Sequence, residues 1–206
     1  NTEVCIDTTS GNTGTEFPTG TRQQPVDNLV DALSIAQNRG LSKLNFLINF
    51  TLLGTDDVSN YTLKADSANQ VTLTGTSGCV TDDCNFENIS LAGTFTQASV
   101  IKECYIGTTI FTTDTGDELD IIRCLFESTL TLPSTQTTDV QIFDCSSGVA
   151  GLVTPIIDFN SCSGDCLVRN YAGGIQLNNV DQTQVLSFDF ISGQVIFDST
   201  CSDGTA

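Results

Sequence analysis

A spacing of about twenty residues recurs through the chain and limits its architecture more than any other feature. Cys84-Asn-Phe-Glu-Asn-Ile-Ser-Leu is followed by Cys104-Tyr-Ile-Gly-Thr-Thr-Ile-Phe, Cys124-Leu-Phe-Glu-Ser-Thr-Leu-Thr-Leu and Cys145-Ser-Ser-Gly-Val-Ala-Gly-Leu. Asn170-Tyr-Ala-Gly-Gly-Ile-Gln-Leu and Phe190-Ile-Ser-Gly-Gln-Val-Ile-Phe continue the series. The anchors are almost evenly spaced except between Cys145 and Asn170, where Cys162-Ser-Gly-Asp-Cys166 reads as an insertion. A second register puts Cys166 in the anchor column; Asn170 is preferred because the segment after it matches the one after Phe190. Short strands and turns at this period make one coil of a parallel β-helix. Leucine-rich repeats share the length, but their Leu/Asn consensus is missing. A sandwich or jelly roll, also built from alternating strands, is the alternative.

Stacked coils turn each repeat position into a column at a rung spacing of roughly 4.8 Å. Cys84, Cys104, Cys124 and Cys145 are then expected to be buried, reduced and stacked on one inner face. The residues just before the anchors, Asp83, Glu103, Arg123, Asp144, Arg169 and Asp189, form a neighbouring outward column whose charges alternate from Glu103 onward. Opposite charges on adjacent coils attract, each exposed pair contributing about 0.2–1 kcal/mol.

The first forty residues differ. Val4-Cys5-Ile6 reads as a strand and is followed by a Gly/Thr-rich loop through Gly20. Pro25 then opens a segment in which Val26, Leu29, Val30, Leu33 and Ala36 share a helical stripe, with Asp27 and Asp31 early, Arg39 late and Gly40 just beyond. Those are start, dipole and stop signals, and they predict a helix over Val26–Arg39 that caps the β-helix. Strands are expected at Leu44–Phe50, Tyr61–Leu63 and Val71–Leu73. The organisation expected is therefore 1–43 as strand, loop and capping helix, and 44–206 as an all-β, right-handed parallel β-helix.

Composition removes whole classes of function. With no His there is no Ser-His-Asp triad, Cys-His pair or His-ligated metal. A net charge of −18 on seven basic residues argues against a nucleic-acid-binding face and repels an anionic membrane surface. No apolar run approaches a bilayer span, so no membrane insertion is expected. Asn1 is not an initiator residue, which points to a processed chain or an excised fragment. Nine cysteines include the local pairs Cys79/Cys84 and Cys162/Cys166, neither spaced as CxxC. Buried free thiols in a reducing cytosol are the reading that fits; the sequons at Asn49, Asn60 and Asn88 match chance in a chain this rich in Ser and Thr.

The segment Gly14-Thr15-Glu16-Phe17-Pro18-Thr19-Gly20-Thr21, leading into Pro25–Ala32 and then into β-helix coils, resembles bacteriophage virion proteins of the tailspike, tail-fibre and capsid- or neck-appendage type. The resemblance implies a rigid structural module of a virion, folded in the host bacterial cytoplasm. It also implies a homotrimer whose partners are other virion proteins, with a host-surface glycan as a further partner where attachment is involved. The alternative it carries is a polysaccharide-binding or polysaccharide-degrading tailspike domain.

Carboxylate pairs would be needed for glycan cleavage. Asp114-Thr115-Gly116-Asp117-Glu118-Leu119-Asp120 is the densest acidic run, able in principle to hold an acid and a base or oxygen ligands for Ca²⁺. Its place between two coils reads more simply as a solvated turn, as do Asp56-Asp57 and Asp82-Asp83. Arg123 could stand where related lyases keep a basic proton acceptor, but the charge column accounts for it. No catalytic residue, metal ligand or cofactor is assigned from the sequence, and a non-enzymatic module is expected.

Overall fold

The computed structural model describes residues 2–114, 116, 118–147 and 154–201. In chain order the elements are β1 (Val4–Ile6), α1 (Leu29–Arg39), β2 (Lys43–Phe46), β3 (Phe50–Leu52), β4 (Thr62–Ala65), β5 (Thr72–Gly75) and β6 (Asn85–Glu87). Next come β7 (Ser90–Phe95), β8 (Val100–Lys102), β9 (Tyr105–Phe111), β10 (Leu119–Ile122), β11 (Leu125–Phe126), β12 (Thr129–Thr131) and β13 (Val140–Phe143). The last are β14 (Ser146–Ser147), β15 (Ile156–Asp158), β16 (Cys166–Ala172), β17 (Ile175–Asn178), β18 (Leu186–Ser192) and β19 (Val195–Phe197). Every strand pairing is parallel, and each strand pairs with its counterpart one coil away, giving a parallel β-helix of about seven turns.

Alternation within each strand sends every second side chain inward, and stacking aligns those side chains into columns. On the first face the column runs Val4, Leu44, Leu63, Phe86, Ile101, Ile121, Ile142, Val168, Phe188. Its members are unevenly spaced in sequence: the step from Phe86 to Ile101 is short, while those from Leu63 to Phe86 and from Ile142 to Val168 are long. Coil length thus varies more than the cysteine spacing suggests. The second face stacks Phe50, Leu73, Leu91, Ile106 and Phe126, and the third stacks Leu130, Ile157, Leu177 and Phe197. These columns merge into one core.

The corner after the first face recurs in an unusual backbone form. Asn88, Glu103, Arg123, Asp144 and Asn170 all hold φ between 53° and 56°, the left-handed region. That conformation costs a non-glycine residue about 1–2 kcal/mol. It also aims the corner amide along the stack: Asn88 donates to the Lys102 carbonyl, Glu103 to Ile122, Arg123 to Phe143 and Asp144 to Arg169, at 2.9–3.1 Å. The strained corner thus continues the ladder between coils.

The structure corrects several sequence expectations. The inward corner column is Ile89, Cys104, Cys124, Cys145 and Tyr171, each one position past a left-handed residue, with Ile191 stacked on Tyr171. Cys84 is buried but immediately precedes β6 in the register of Tyr61, because Phe86 pairs with Ile101 and makes that coil a short one. Asn170 is the left-handed residue, and Tyr171 takes the inward place. Cys162–Cys166 is no insertion: Cys166 opens β16 in register with Val140 and Leu186. The extra length of that coil falls between Ser147 and Thr154, outside the described residues. Leu44–Phe50 is not one strand but β2, a corner, and the start of β3.

The helix starts at Leu29 rather than at Val26, where the periodicity predicts it. Asn28 is its N-cap, its side-chain oxygen accepting from the Asp31 amide at 2.8 Å, and Gly40 closes it at φ 63°. Val26 is held extended instead, accepting from Asp7 and donating to Cys5 beside β1. The buried stripe is Leu29, Ala32, Ile35 and Ala36, while Val30 is 76% exposed. This stripe packs over β1 and β2 and covers the N-terminal end of the core.

Close stacking leaves some positions no room for a side chain. Gly93 sits opposite Gly75 with φ 90°, and a Cβ there would strike the Gly75 carbonyl oxygen. Gly93→Ala should therefore cost about 3 kcal/mol or more, combining backbone strain with a backbone clash. Gly116→Ala, at φ 73° with nothing within 4 Å, should cost about 1 kcal/mol. Urea midpoints of the two variants measure the difference.

Candidate functional site

Charge is divided unevenly among the faces. Lys43, Lys64, Lys102 and Arg169 lie on strands of the first face, and Arg123 on the corner that follows it. The elements confined to the second and third faces (β3, β5, β7, β9, β11, β12, β14, β15, β17 and β19) carry no Lys or Arg, and Asp158 is their one acidic residue.

On the first face the charges pair between coils. Lys64 meets Glu3 at 2.9 Å, Arg123 meets Glu103 at 2.7 Å, and Arg169 meets Asp189 at 3.2 Å. Lys43 spans to Glu87 at 3.5 Å. Of the expected alternating column, Glu103–Arg123 and Arg169–Asp189 are real pairs, but they stand in two adjacent columns. Asp144 instead accepts from the Asn170 amide group at 2.7 Å, and Asp83 lies at a separate left-handed corner. Between these charges lies an open concavity of ≈ 290 Å³ lined by Lys64, Ala65, Asp66, Glu87, Asn88, Lys102 and Glu103. The sequence repeat does not reveal it, because Lys64, Glu87 and Lys102 align only through one long coil and one short one. The alternating signs at those three positions were the available signal.

The acidic run does not assemble a dyad among its described residues; Asp117 lies outside them. Asp114 accepts from the Thr137 amide and hydroxyl, from the Thr138 hydroxyl and from the Gly116 amide. Partial burial pushes its carboxyl up, yet these hydrogen bonds hold it below the usual carboxylate range. It staples one turn to the next. Glu118 engages Gln141 on the following coil, and desolvation with Asp120 and Asp139 nearby raises its pKa. Asp120 is raised by desolvation. Asp57 closes its own turn through Ser59, Asp56 accepts from the Leu53 amide, and Asp82 accepts from the Thr96 hydroxyl. Among the described residues no group of three or more Cys, Asp or Glu side chains is placed to hold a metal ion.

All nine thiols are free, and eight are buried. Cys79 donates to the Thr94 carbonyl and Cys84 to the Val58 carbonyl, so the two point to different neighbours. Cys162 accepts from the Gln184 side-chain amide, while Cys166 lies in β16. In the corner ladder the Cys104 amide donates to Cys124 Sγ at 3.4 Å and the Cys124 amide to Cys145 Sγ at 3.3 Å. The thiols donate in turn to carbonyls of the preceding coil: Cys104 to Phe86, Cys124 to Ile101 and Cys145 to Ile121.

Most of these thiols hold their proton tightly. Burial pushes Cys5 up to about 11, and Cys84 and Cys166 up to about 12; contact with the neighbouring thiol and burial also raise Cys124 and Cys145. Such thiols are poor nucleophiles.

A thiol whose folded pKa exceeds its unfolded value stabilises fully below about pH 9. Above that the unfolded chain sheds protons that the fold retains, so stability falls by about 1.4 kcal/mol per thiol per pH unit until the folded value is reached. The melting temperature should therefore drop steeply between about pH 9 and 11, and Cys84→Ala should flatten that slope. Under native conditions at neutral pH a thiol reagent should modify the half-buried Cys201 first. Cys84, Cys104, Cys124 and Cys145 should react on unfolding. Rapid native labelling of these four would contradict the structure.

No family model matches the chain, nor does any curated protein or solved structure.

Proposed function

We propose that this chain is a rigid structural module of a bacteriophage virion, part of a fibre, spike or capsid-surface appendage, and that it assembles as a homotrimer. The observation that carries the reading is the unbroken stack of nine parallel strands on the first face, from β1 to β18. At roughly 4.8 Å per rung, those nine strands make a stiff prism about 40 Å long, with inter-coil hydrogen bonds running along its axis. Such an element transmits position and load. It gains little from loops that move, and here Asp7, Asp57, Asp158, Asp181 and Asp198 close turns through local hydrogen bonds.

The segregation of charge supports the trimer. At −18, like copies repel, so contact must use surface poor in acidic side chains. The third face offers outward columns Thr129, Ile156, Gln176, Ile196 and Thr94, Ile110, Thr131, with Ile110 38% exposed. Its one carboxylate, Asp158, is engaged by the Asn160 amide and the Asn179 side chain. Three copies meeting on that face turn their ion-paired first faces outward around a shared axis.

A second reading is glycan binding on the first face. The concavity between Lys64 and Glu103 gathers amide, ammonium and carboxylate groups that can hydrogen-bond sugar hydroxyls.

Sedimentation velocity tests the assembly. The expected species has three times the 21.9 kDa chain mass, and Ile110→Asp should return it to monomer at a cost to folding of no more than about 0.5 kcal/mol. A strict monomer at micromolar concentration counts against the trimer. Oligosaccharide released from host capsule or lipopolysaccharide would replace the structural reading with the enzymatic one.

A further inference from the structure

One polar side chain on the first face is buried where its neighbours are not. Asn45 of β2 lies in the outward column between Cys5 of β1 and Lys64 of β4, yet it is 0% exposed. Its side-chain nitrogen donates to Glu3 Oε1 at 2.9 Å and to Asp66 Oδ1 at 3.2 Å. Arg22 in turn donates to Asp66 at 2.8 Å. The Asn45 oxygen is buried with no hydrogen-bond partner, which destabilises the amide as it stands.

The other oxygen of Glu3 accepts from Lys64 Nζ at 2.9 Å. One carboxylate therefore holds a primary amine and a carboxamide on its two oxygens. Lys64 and Asn45 are direct register partners on adjacent coils, one rung of roughly 4.8 Å apart. The side chains of Lys64 and Glu3 are only 24% and 21% exposed. Among the described residues the other polar contacts each lack a part. Lys43–Glu87 has no carboxamide bonded to it, and Asp144–Asn170 has no amine. Arg123–Glu103 and Arg169–Asp189 offer a guanidinium, which keeps its proton and does not attack.

We propose that Lys64 and Asn45 join in an intramolecular isopeptide bond, with Glu3 as the catalytic residue that carries the protons. Lys64 passes a proton to Glu3 Oε2, and the freed lone pair of Nζ attacks Asn45 Cγ to form the new N–C bond. Glu3 then protonates Nδ2 and the Cγ–Nδ2 bond breaks. The new amide nitrogen sheds its extra proton through Glu3 to the departing ammonia. The products are a secondary amide and one ammonium ion; Glu3 is again a carboxylate, and no oxidant or reductant is consumed. Holding both groups on one carboxylate makes the step intramolecular, and burial of Asn45 keeps water from competing at Cγ. The bond ties β2 to β4, which hydrogen bonds alone otherwise join along the axis, and it closes the intervening loop permanently. The inference rests on the geometry of these residues and is independent of the virion reading.

The mass of the denatured chain tests it. The full 206-residue protein should weigh one ammonia less than its sequence. After digestion with trypsin and a protease that cuts before Asp, segments 44–55 and 57–65 should emerge as one branched species, uncut after Lys64. Lys64→Arg and Glu3→Gln should each restore the full sequence mass, the second because a carboxamide cannot carry the proton. A wild-type chain at full sequence mass would overturn the proposal. So would separate release of the two segments, even with ammonia lost, since cyclisation of another Asn gives the same mass. A Glu3→Gln protein linked as completely as the wild type would overturn it as well. None of these outcomes depends on the assembly state, so the trimer is decided by its own measurement.

Discussion

Each coil must return to the same place one rung higher, and the corner after the first face is where that return is enforced. A left-handed residue there costs about 1–2 kcal/mol, and the hydrogen bond it directs to the next coil gives back about 1 kcal/mol while leaving no buried amide unpaired. Because the conformation and the hydrogen bond come from the backbone, the side chain is free to vary. Asn88, Glu103, Arg123, Asp144 and Asn170 share nothing but polarity and outward position. The following residue is then driven inward, so Ile89, Cys104, Cys124, Cys145 and Tyr171 form the column that packs the corner.

That division explains what could be read from the chain. The period was visible wherever successive coils are nearly equal in length and the inward corner residue is the same, as for Cys104, Cys124 and Cys145. It failed where one of those conditions lapsed. Cys84 matches the residue type but belongs to the start of a strand, since the Phe86–Ile101 pairing closes its coil early. Tyr171 occupies the corner with a different residue type, so the repeat points instead to Asn170 beside it. The helix was legible as an element, but Val26 looked helical by spacing while its backbone was already committed to Cys5 and Asp7. At Asp114 the turn reading is matched by the Gly116 amide donating to its carboxylate, whereas Leu119 and Asp120 at the end of that run already belong to β10. The concavity on the first face was not legible, because its lining comes from three coils of unequal length.

The ion pairs contribute to register more than to stability. They are mostly exposed at their charged ends, and such pairs are worth about 0–1 kcal/mol each. A slip of one residue would nonetheless bury Lys64, Lys102 or Arg169 in the column of Leu63, Ile101 and Val168, at a cost of several kcal/mol for each charge. Placing four of the seven basic residues on strands of one face therefore marks which side of those strands faces outward. It also leaves the other faces to Thr, Ser and Ile, whose packing does not require a counter-charge.

Cysteine suits the corner for reasons of size and polarity together. Cys124 is buried within the continuous core, between Cys104 and Cys145 of the neighbouring coils. A leucine at Cys124 would overpack that space, and an alanine would leave a void too small for water. Serine has nearly the right volume, but its hydroxyl needs a hydrogen bond of about 2.8 Å. The Cys124 sulfur sits 3.3 Å from the Ile101 carbonyl and 3.4 Å from the Cys104 amide nitrogen. A thiol tolerates those longer contacts as a weak donor and weak acceptor, so it fills the corner like a small hydrophobe while still answering the carbonyl behind it. The same location that makes Cys124 and Cys145 good packing groups raises their pKa and removes their reactivity. Structural use of the ladder is thus built into its location, and a chemical use would require the corner to open.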